Sequence, residues 1–270
     1  MRFRTLFLLI LGLGWAGNPV RGATELPFSF IDGMIWLKIN VPTSALPLNF
    51  LLDSGASSTV LDLKSGIRLG AALGRRETAQ GAAGQIETYQ IKDFRGTFGA
   101  MALPRSILAV DLRAVSGGLH QKIDGLLGAD FLKDRIVQVD FRTRKIRFLE
   151  SNELSEAGME ILPLKRRNDV LCVEVSVAGQ PHEWMRLDTG CRDALQWVSK
   201  TAMNEAVKSN VTAPSIKTDV RLGSLKLQSV PTGLHEKPMF RGEAGLLGNG
   251  LLSKFTFTID SVRGRLLLLK

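Results

Sequence analysis

The strongest constraint on the fold is a repeat inside the chain. Leu26-Pro27-Phe28, followed by Met34 to Val41, recurs at an offset of 136 as Leu162-Pro163-Leu164, followed by Val170 to Val177. Leu52-Asp53-Ser54-Gly55 recurs at an offset of 135 as Leu187-Asp188-Thr189-Gly190. Gly125-Leu126-Leu127-Gly128 recurs at an offset of 120 as Gly245-Leu246-Leu247-Gly248. The last offset also carries Leu132 onto Leu252, Val139-Asp140 onto Ile259-Asp260 and Lys145-Ile146 onto Arg265-Leu266. Three blocks in one order, each free of gaps, point to an internal duplication. The 270 residues then divide into two halves of ordinary domain size. The polar stretch Glu150 to Gly158 has few apolar anchors and marks the boundary.

Each half reads mainly as β. Ile35 to Val41 alternates, is rich in β-branched and aromatic residues, and runs into a Pro-bearing turn. Ile136 to Phe141 and Lys145 to Phe148 flank an Arg142-Thr143 turn region as a hairpin, and Phe255 to Ile259 with Leu266 to Leu269 repeats it. Helical pattern is sparse. Val198 to Val207 is the best helix, and a short turn of helix is expected at Ala129 to Asp134.

The halves differ in one place. Asp53 to Gly125 spans 72 residues, whereas Asp188 to Gly245 spans 57, so the first half carries about 15 more after its Asp loop. The excess is placed at Arg76 to Ile91, where Gly81-Ala82-Ala83-Gly84 sits between strand-like flanks. That pattern is a projecting hairpin with a Gly-rich tip, or an ordinary surface insertion.

An apolar run, Asn49 to Leu52, delivers Asp53 to a Ser-Gly turn. Asp, Ser and Gly are ordinary turn formers, so this stretch alone fits a surface turn. It equally fits a reactive acid held on a rigid loop. The repeat supplies a partner. If the halves pack about a pseudo-twofold axis, equivalent loops meet there, and Asp53 faces Asp188. Two carboxyls in hydrogen-bond range share a proton, and their titration belongs to the pair. One can take a proton from a bridging water while the other protonates a carbonyl oxygen. Gly55 and Gly190 allow close backbone approach, and Ser54 and Thr189 offer hydroxyls that can tie one loop to the other.

Other chemistry has little motif support. The chain has no CxxC, HExxH, GxSxG or Walker-type loop, and His120, His182 and His235 are far apart. No metal and no cofactor are expected. The formal charge is +9, but Lys and Arg are scattered apart from short clusters such as Lys165-Arg166-Arg167. These are solvated faces rather than a nucleic-acid footprint. Cys172 and Cys191 could form one disulfide in an exported protein, but two buried thiols are the preferred reading.

The front end resembles an export signal. Arg2 and Arg4 precede an apolar stretch from Leu6 to Trp15, too short to span a bilayer. Residues 1–23 are assigned as a signal peptide of uncertain cleavage site, an uncleaved membrane anchor being the alternative. Their removal takes Arg2, Arg4 and Arg21 and no acid, which lowers the charge from +9 to +6. The protein is expected to be periplasmic or secreted, with a membrane partner only if the segment is retained.

With both Asp loops in view, the chain resembles the pepsin/retropepsin-like aspartic peptidases, most closely the bacterial two-repeat exported forms. The resemblance rests on Leu52-Asp53-Ser54-Gly55-Ala56-Ser57, Leu187-Asp188-Thr189-Gly190 and the paired Gly-Leu-Leu-Gly blocks, and covers about Leu26 to Leu269. It implies a mainly β, acid-protease fold of two pseudo-twofold-related, closed β-barrel-like lobes with a few short helices. The lobes fall at 24–152 and 153–270. It further implies Asp53 and Asp188 as a catalytic dyad and a grip between the Ser54 and Thr189 hydroxyls. The Gly-Leu-Leu-Gly blocks would brace the Asp loops. Gly81, Gly84 and Tyr89 fall in the flap, with Tyr89 either a flap aromatic or a plain strand residue. The implied activity is endopeptidase cleavage of a peptide or protein substrate. Because both acids lie in one chain, a monomer suffices for a site. The alternative is a catalytically inactive relative that binds peptide or serves a structural role. Cys191-Arg192-Asp193 departs from the small polar residues usual after the second Gly and puts that loop's geometry in question. Neither Ala56 nor Cys191 offers a strong hydroxyl donor beside the dyad, which predicts a weakly acidic to near-neutral pH optimum.

Overall fold

In the computed structural model, residues 24–81, 84–208 and 214–270 are described. Residues 1–23, where the export signal is expected, lie outside them, as do Ala82 and Ala83. The chain is mainly β with five short helices among the described residues.

The strand that delivers the first acid, Leu48–Leu52, is almost wholly apolar because both of its faces are covered. Leu48, Phe50 and Leu52 enter the main core, and Leu51 packs on the opposite face with Met34, Trp36 and Val60. Each such buried side chain stabilises by about 1.5–3 kcal/mol relative to exposure. Its counterpart, Glu183–Asp188, sends Met185 and Leu187 into the same core. The position that matches Leu51 is Arg186, which is 4% exposed.

The two lobes share a strand pattern. Gly125–Leu127 lies parallel to Leu48–Leu52 and antiparallel to Val60–Asp62, which in turn runs parallel to Ile107–Val110. Gly245–Gly248 lies parallel to Glu183–Asp188 and antiparallel to Leu195–Val198, which runs parallel to Leu225–His235. In the second lobe Ser215–Leu222 then returns to pair with Val170–Val177, closing a six-stranded barrel. The first lobe is wrapped differently. Its ladder ends in the hairpin Leu73–Gly81 and Gly84–Ile91, which projects instead of returning to Met34–Ile39. On that side an Asn40–Thr97 bridge and the small Thr97–Phe98 and Met101–Ala102 pair cover the sheet.

Three strands from each half meet in a shared sheet, in the order Thr24–Pro27, Lys145–Leu149, Ile136–Asp140, Thr256–Asp260, Arg265–Leu269, Glu160–Arg167. At its centre Val137 faces Ile259, Gln138 faces Thr258 and Val139 faces Phe257. At the offset of 120, Thr258 is the equivalent of Gln138, so the chain pairs there with its own counterpart. The pseudo-twofold axis therefore passes between Gln138 and Thr258. Both flanking hairpins turn the same way: the Asp140 and Asp260 carboxylates accept backbone N–H groups from Arg142 and Arg263, and the left-handed residue is Arg144 in one and Gly264 in the other.

The expected helix at 198–207 forms at Lys200–Lys208, with the Ser199 hydroxyl accepting from the Ala202 N–H at its start. The expected turn of helix after Gly128 is Ala129–Leu132. Leu63–Arg68 is a further helix that the apolar pattern does not announce; Asp62 caps it by accepting from the Ser65 N–H at 3.0 Å. No helix among the described residues is long and apolar enough to cross a membrane.

Candidate active site

Asp53 and Asp188 end the strands Leu48–Leu52 and Glu183–Asp188 and meet at the interface of the lobes. The turns that follow cross so closely that each glycine underlies the opposite acid. A side chain at Gly55 would fall inside the Asp188 carboxyl, and one at Gly190 inside the Asp53 carboxyl. Only glycine leaves that space.

The loops are tied by a reciprocal set of hydrogen bonds. The Ser54 hydroxyl donates to the Leu187 carbonyl at 2.7 Å and accepts from the Thr189 N–H at 3.0 Å. The Thr189 hydroxyl donates to the Leu52 carbonyl at 2.8 Å and accepts from the Ser54 N–H at 2.9 Å. Both side chains are fully buried. Each loop is also braced from behind by its Gly-Leu-Leu-Gly strand. The Asp53 N–H donates to the Leu127 carbonyl at 2.9 Å, and Leu187 and Asp188 run in register with Leu247 and Gly248. The helix starts just beyond repeat the contact: Ala129 N–H donates to the Ala56 carbonyl and Asn249 N–H to the Cys191 carbonyl, each at 2.8 Å.

The two acids are not equivalent. One oxygen of Asp53 accepts from both the Gly55 and Ala56 N–H groups, at 3.0 Å each. Asp188 accepts from the Gly190 N–H at 2.9 Å. Burial raises the pKa of both. For Asp188 the neighbouring Asp53 charge adds to burial and pushes it up to about 8. For Asp53 the backbone donors and Asp188 itself hold the rise in check. The pair can therefore carry one negative charge and one proton across a wide pH range.

Behind the acids lies a buried ion pair that the motif reading passes over. Arg186 donates to the Glu243 carboxylate through Nε at 2.7 Å and Nη2 at 2.8 Å. Its Nη1 donates to the Gly55 carbonyl at 2.7 Å, and its guanidinium stacks on the Phe240 ring 3.3 Å from the centroid. Asn168 donates to the same carboxylate at 3.0 Å. The signal for this pair was a lone cation at a both-faces-buried strand position whose repeat partner is Leu51, with an acid two residues before Gly245. Asn249 was also missed: its amide donates to the Thr189 carbonyl at 2.7 Å and to the Gly33 carbonyl at 2.9 Å.

The unusual tail of the second loop leaves the turn undisturbed. Cys191 N–H donates to the Asp188 carbonyl at 3.2 Å, as Ala56 N–H does to that of Asp53. Arg192 and Asp193 are exposed; Arg192 packs against Gly33, and Asp193 accepts from Gln196. The cysteines are free: Cys172 is buried, whereas Cys191 is only partly so, and burial pushes both thiols up to about 12. Gly81 and Gly84 pair at the end of the projecting hairpin. Tyr89 lies nearer its base, opposite Arg76 and Ala109, and packs against the main core. Among the described residues, no group of three or more His, Cys, Asp or Glu side chains is placed to hold a metal ion.

Two lobes related by a pseudo-twofold axis, with one aspartate from each at the junction, define the acid-protease fold. Residues 38–131 match the family model described as aspartyl protease, a span that takes in Asp53 and the first Gly-Leu-Leu-Gly block. A solved structure described as aspartic proteinase from Irpex lacteus superimposes with a TM-score of 0.60. The match covers 92% of this chain and 97% of that one at 12% identity, which is a likeness of fold. No curated protein matches the chain in sequence. Family match and fold together support an aspartic peptidase.

Proposed function

We propose that the chain is an aspartic-type endopeptidase, exported by residues 1–23, in which Asp53 and Asp188 activate water against a peptide bond. The observation that carries this reading is the crossing of the two Asp loops, each carboxyl seated on the opposite glycine. An inactive module has no use for both acids, both glycines and the hydroxyl ties between them.

The chemistry follows from the shared proton. The ionised carboxylate takes a proton from water as the water oxygen bonds to the carbonyl carbon. The neutral carboxyl gives its proton to the carbonyl oxygen, forming a gem-diol. Collapse breaks the C–N bond: the nitrogen takes the proton first drawn from water, and a gem-diol hydroxyl returns one to the other acid. Water is added across the amide, and the dyad ends as it began. The Leu73–Gly81 and Gly84–Ile91 hairpin would serve as the flap, with its Gly81–Gly84 end over the substrate. The recurring strand pattern supports descent from a duplicated half, and one chain supplies the whole site.

The test is cleavage of a peptide library by the wild type and by the Asp53→Asn and Asp188→Asn variants. Cleavage by the wild type alone is expected. Equal cleavage by all three removes the peptidase reading. Mass measurement of the exported protein tests the leader, with a new N-terminus near residue 24 expected.

A further inference from the structure

The peptidase reading leaves one charged group near the dyad without a role. Arg186 stands two residues before Asp188 on a strand buried on both faces, and its repeat partner Leu51 shows that an apolar side chain fits there. A buried ion pair is poor evidence of stabilisation, because desolvating two charges offsets most of their attraction. Its geometry points elsewhere. Glu243 and the Phe240 ring hold the guanidinium flat, and the remaining Nη1 reaches the Gly55 carbonyl. That carbonyl belongs to the same peptide unit as the Ala56 N–H, which bonds the Asp53 carboxylate at 3.0 Å. A cation on the oxygen of a peptide strengthens its N–H as a donor.

We infer that Arg186 is a positioning residue for the dyad: by gripping the Gly55–Ala56 peptide it makes Asp53 the acid that keeps the charge and Asp188 the acid that keeps the proton. The inference rests on the peptidase reading and assigns its two roles. Asp53 is then the base that takes the proton from water, and Asp188 is the acid that protonates the carbonyl oxygen. The asymmetry is built into the chain, since Leu51, the partner of Arg186, has no charge to offer the Gly190–Cys191 peptide. The shifts of both acids, dominated by burial, include a downward pull from Arg186, but the peptide contact reaches Asp53 alone. The charged and titratable groups facing Arg186 are Glu243, Asp53, Asp188 and, more weakly, the Cys172 thiol on the neighbouring strand. Glu243 neutralises the cation but stands on the side away from Gly55, so the dyad faces the positive end of the pair.

Removing Arg186 alone would strand Glu243, so the test uses Arg186→Lys and the double variant Arg186→Met/Glu243→Leu, which replaces the pair by apolar volume. Two readouts are taken: the pH dependence of kcat/KM on a cleaved peptide, and the titration of the Asp53 and Asp188 carboxyl carbons by 13C NMR. In the double variant the acidic limb and the Asp53 midpoint are expected to rise by about one pH unit, a roughly tenfold loss of rate well below the limb. Arg186→Lys should shift both by less. A folded double variant with lower kcat but unmoved limb and midpoint overturns the inference and leaves Arg186 a structural brace. Failure of the peptidase reading is seen separately, as activity surviving in Asp53→Asn and Asp188→Asn. The NMR midpoints decide the inference even where a variant cleaves nothing.

Discussion

Thr189→Val tests how firmly the two lobes hold the acids in register. Valine keeps the shape of threonine, so packing is preserved and the hydroxyl alone is lost. Two bonds go with it: the donor to the Leu52 carbonyl at 2.8 Å and the acceptor of the Ser54 N–H at 2.9 Å. Thr189 is fully buried, so water cannot replace either partner. Each stranded backbone group costs about 1–3 kcal/mol, which sets the expected loss for the two at about 2–6 kcal/mol. Thr258→Val is the control. Thr258 is equally buried, but its hydroxyl accepts only from the half-buried Gln138 amide at 3.2 Å, and its loss should cost about 0.5–1.5 kcal/mol. Urea unfolding of both variants gives the comparison. Activity should fall further than stability implies, because a 1 Å displacement of reacting groups costs about 100-fold. If Thr189→Val is no less stable than Thr258→Val, the reciprocal ties do not hold the loops, and the account of the site fails.

Three further outcomes follow from the same geometry. The pH–rate profile should have its alkaline limb near pH 8, where Asp188 loses its proton, and its acidic limb above the ordinary aspartate value of 3.8, because burial raises Asp53 as well; a maximum below about pH 3 contradicts the burial argument. Asp188→Asn should be inactive yet more stable than the wild type at pH 8. A raised folded pKa favours the fold below pH 3.8, and that contribution drains away as pH climbs toward 8. Thermal melts should show a gain of several kcal/mol at pH 8 that has nearly vanished at pH 4, and a pH-independent difference speaks against it. Glu243→Leu alone strands a buried guanidinium and should cost about 3–5 kcal/mol in urea, whereas Arg186→Met/Glu243→Leu should recover most of that; equal losses exclude a buried pair as the cause.

Much of this was open in the sequence because it is local or repeated. The alternation of Ile35 to Val41, the paired hairpins and the recurrence of Asp-hydroxyl-Gly each follow from short-range pattern, and the structure places Ser54 beside Thr189 accordingly. What escaped depends on contacts distant in the chain. Arg186 looks like any strand cation until Glu243, 57 residues away, closes on it. The open ladder of the first lobe could not be read from strand count, since it turns on where the Leu73–Gly81 hairpin points. The Leu63–Arg68 helix is cued by a single side-chain cap on Asp62, a signal shared by many turns. The caution over Cys191-Arg192-Asp193 rests on its departure from the small polar residues usual after the second Gly in the peptidases the chain resembles, whereas the turn is set by backbone bonds that any of these residues can make.

The pairing of Gln138 with Thr258 makes the shared sheet a ruler for the dyad. Side chains in a strand alternate faces, so the smallest slip that keeps Val137, Val139, Phe257 and Ile259 inside is two residues. Such a slip slides one lobe past the other by about 7 Å. Two carboxyls can share a proton only within about 3 Å. No intermediate setting exists between a dyad and two isolated aspartates, so the distance between the two acids is quantised by a ladder that contains neither of them.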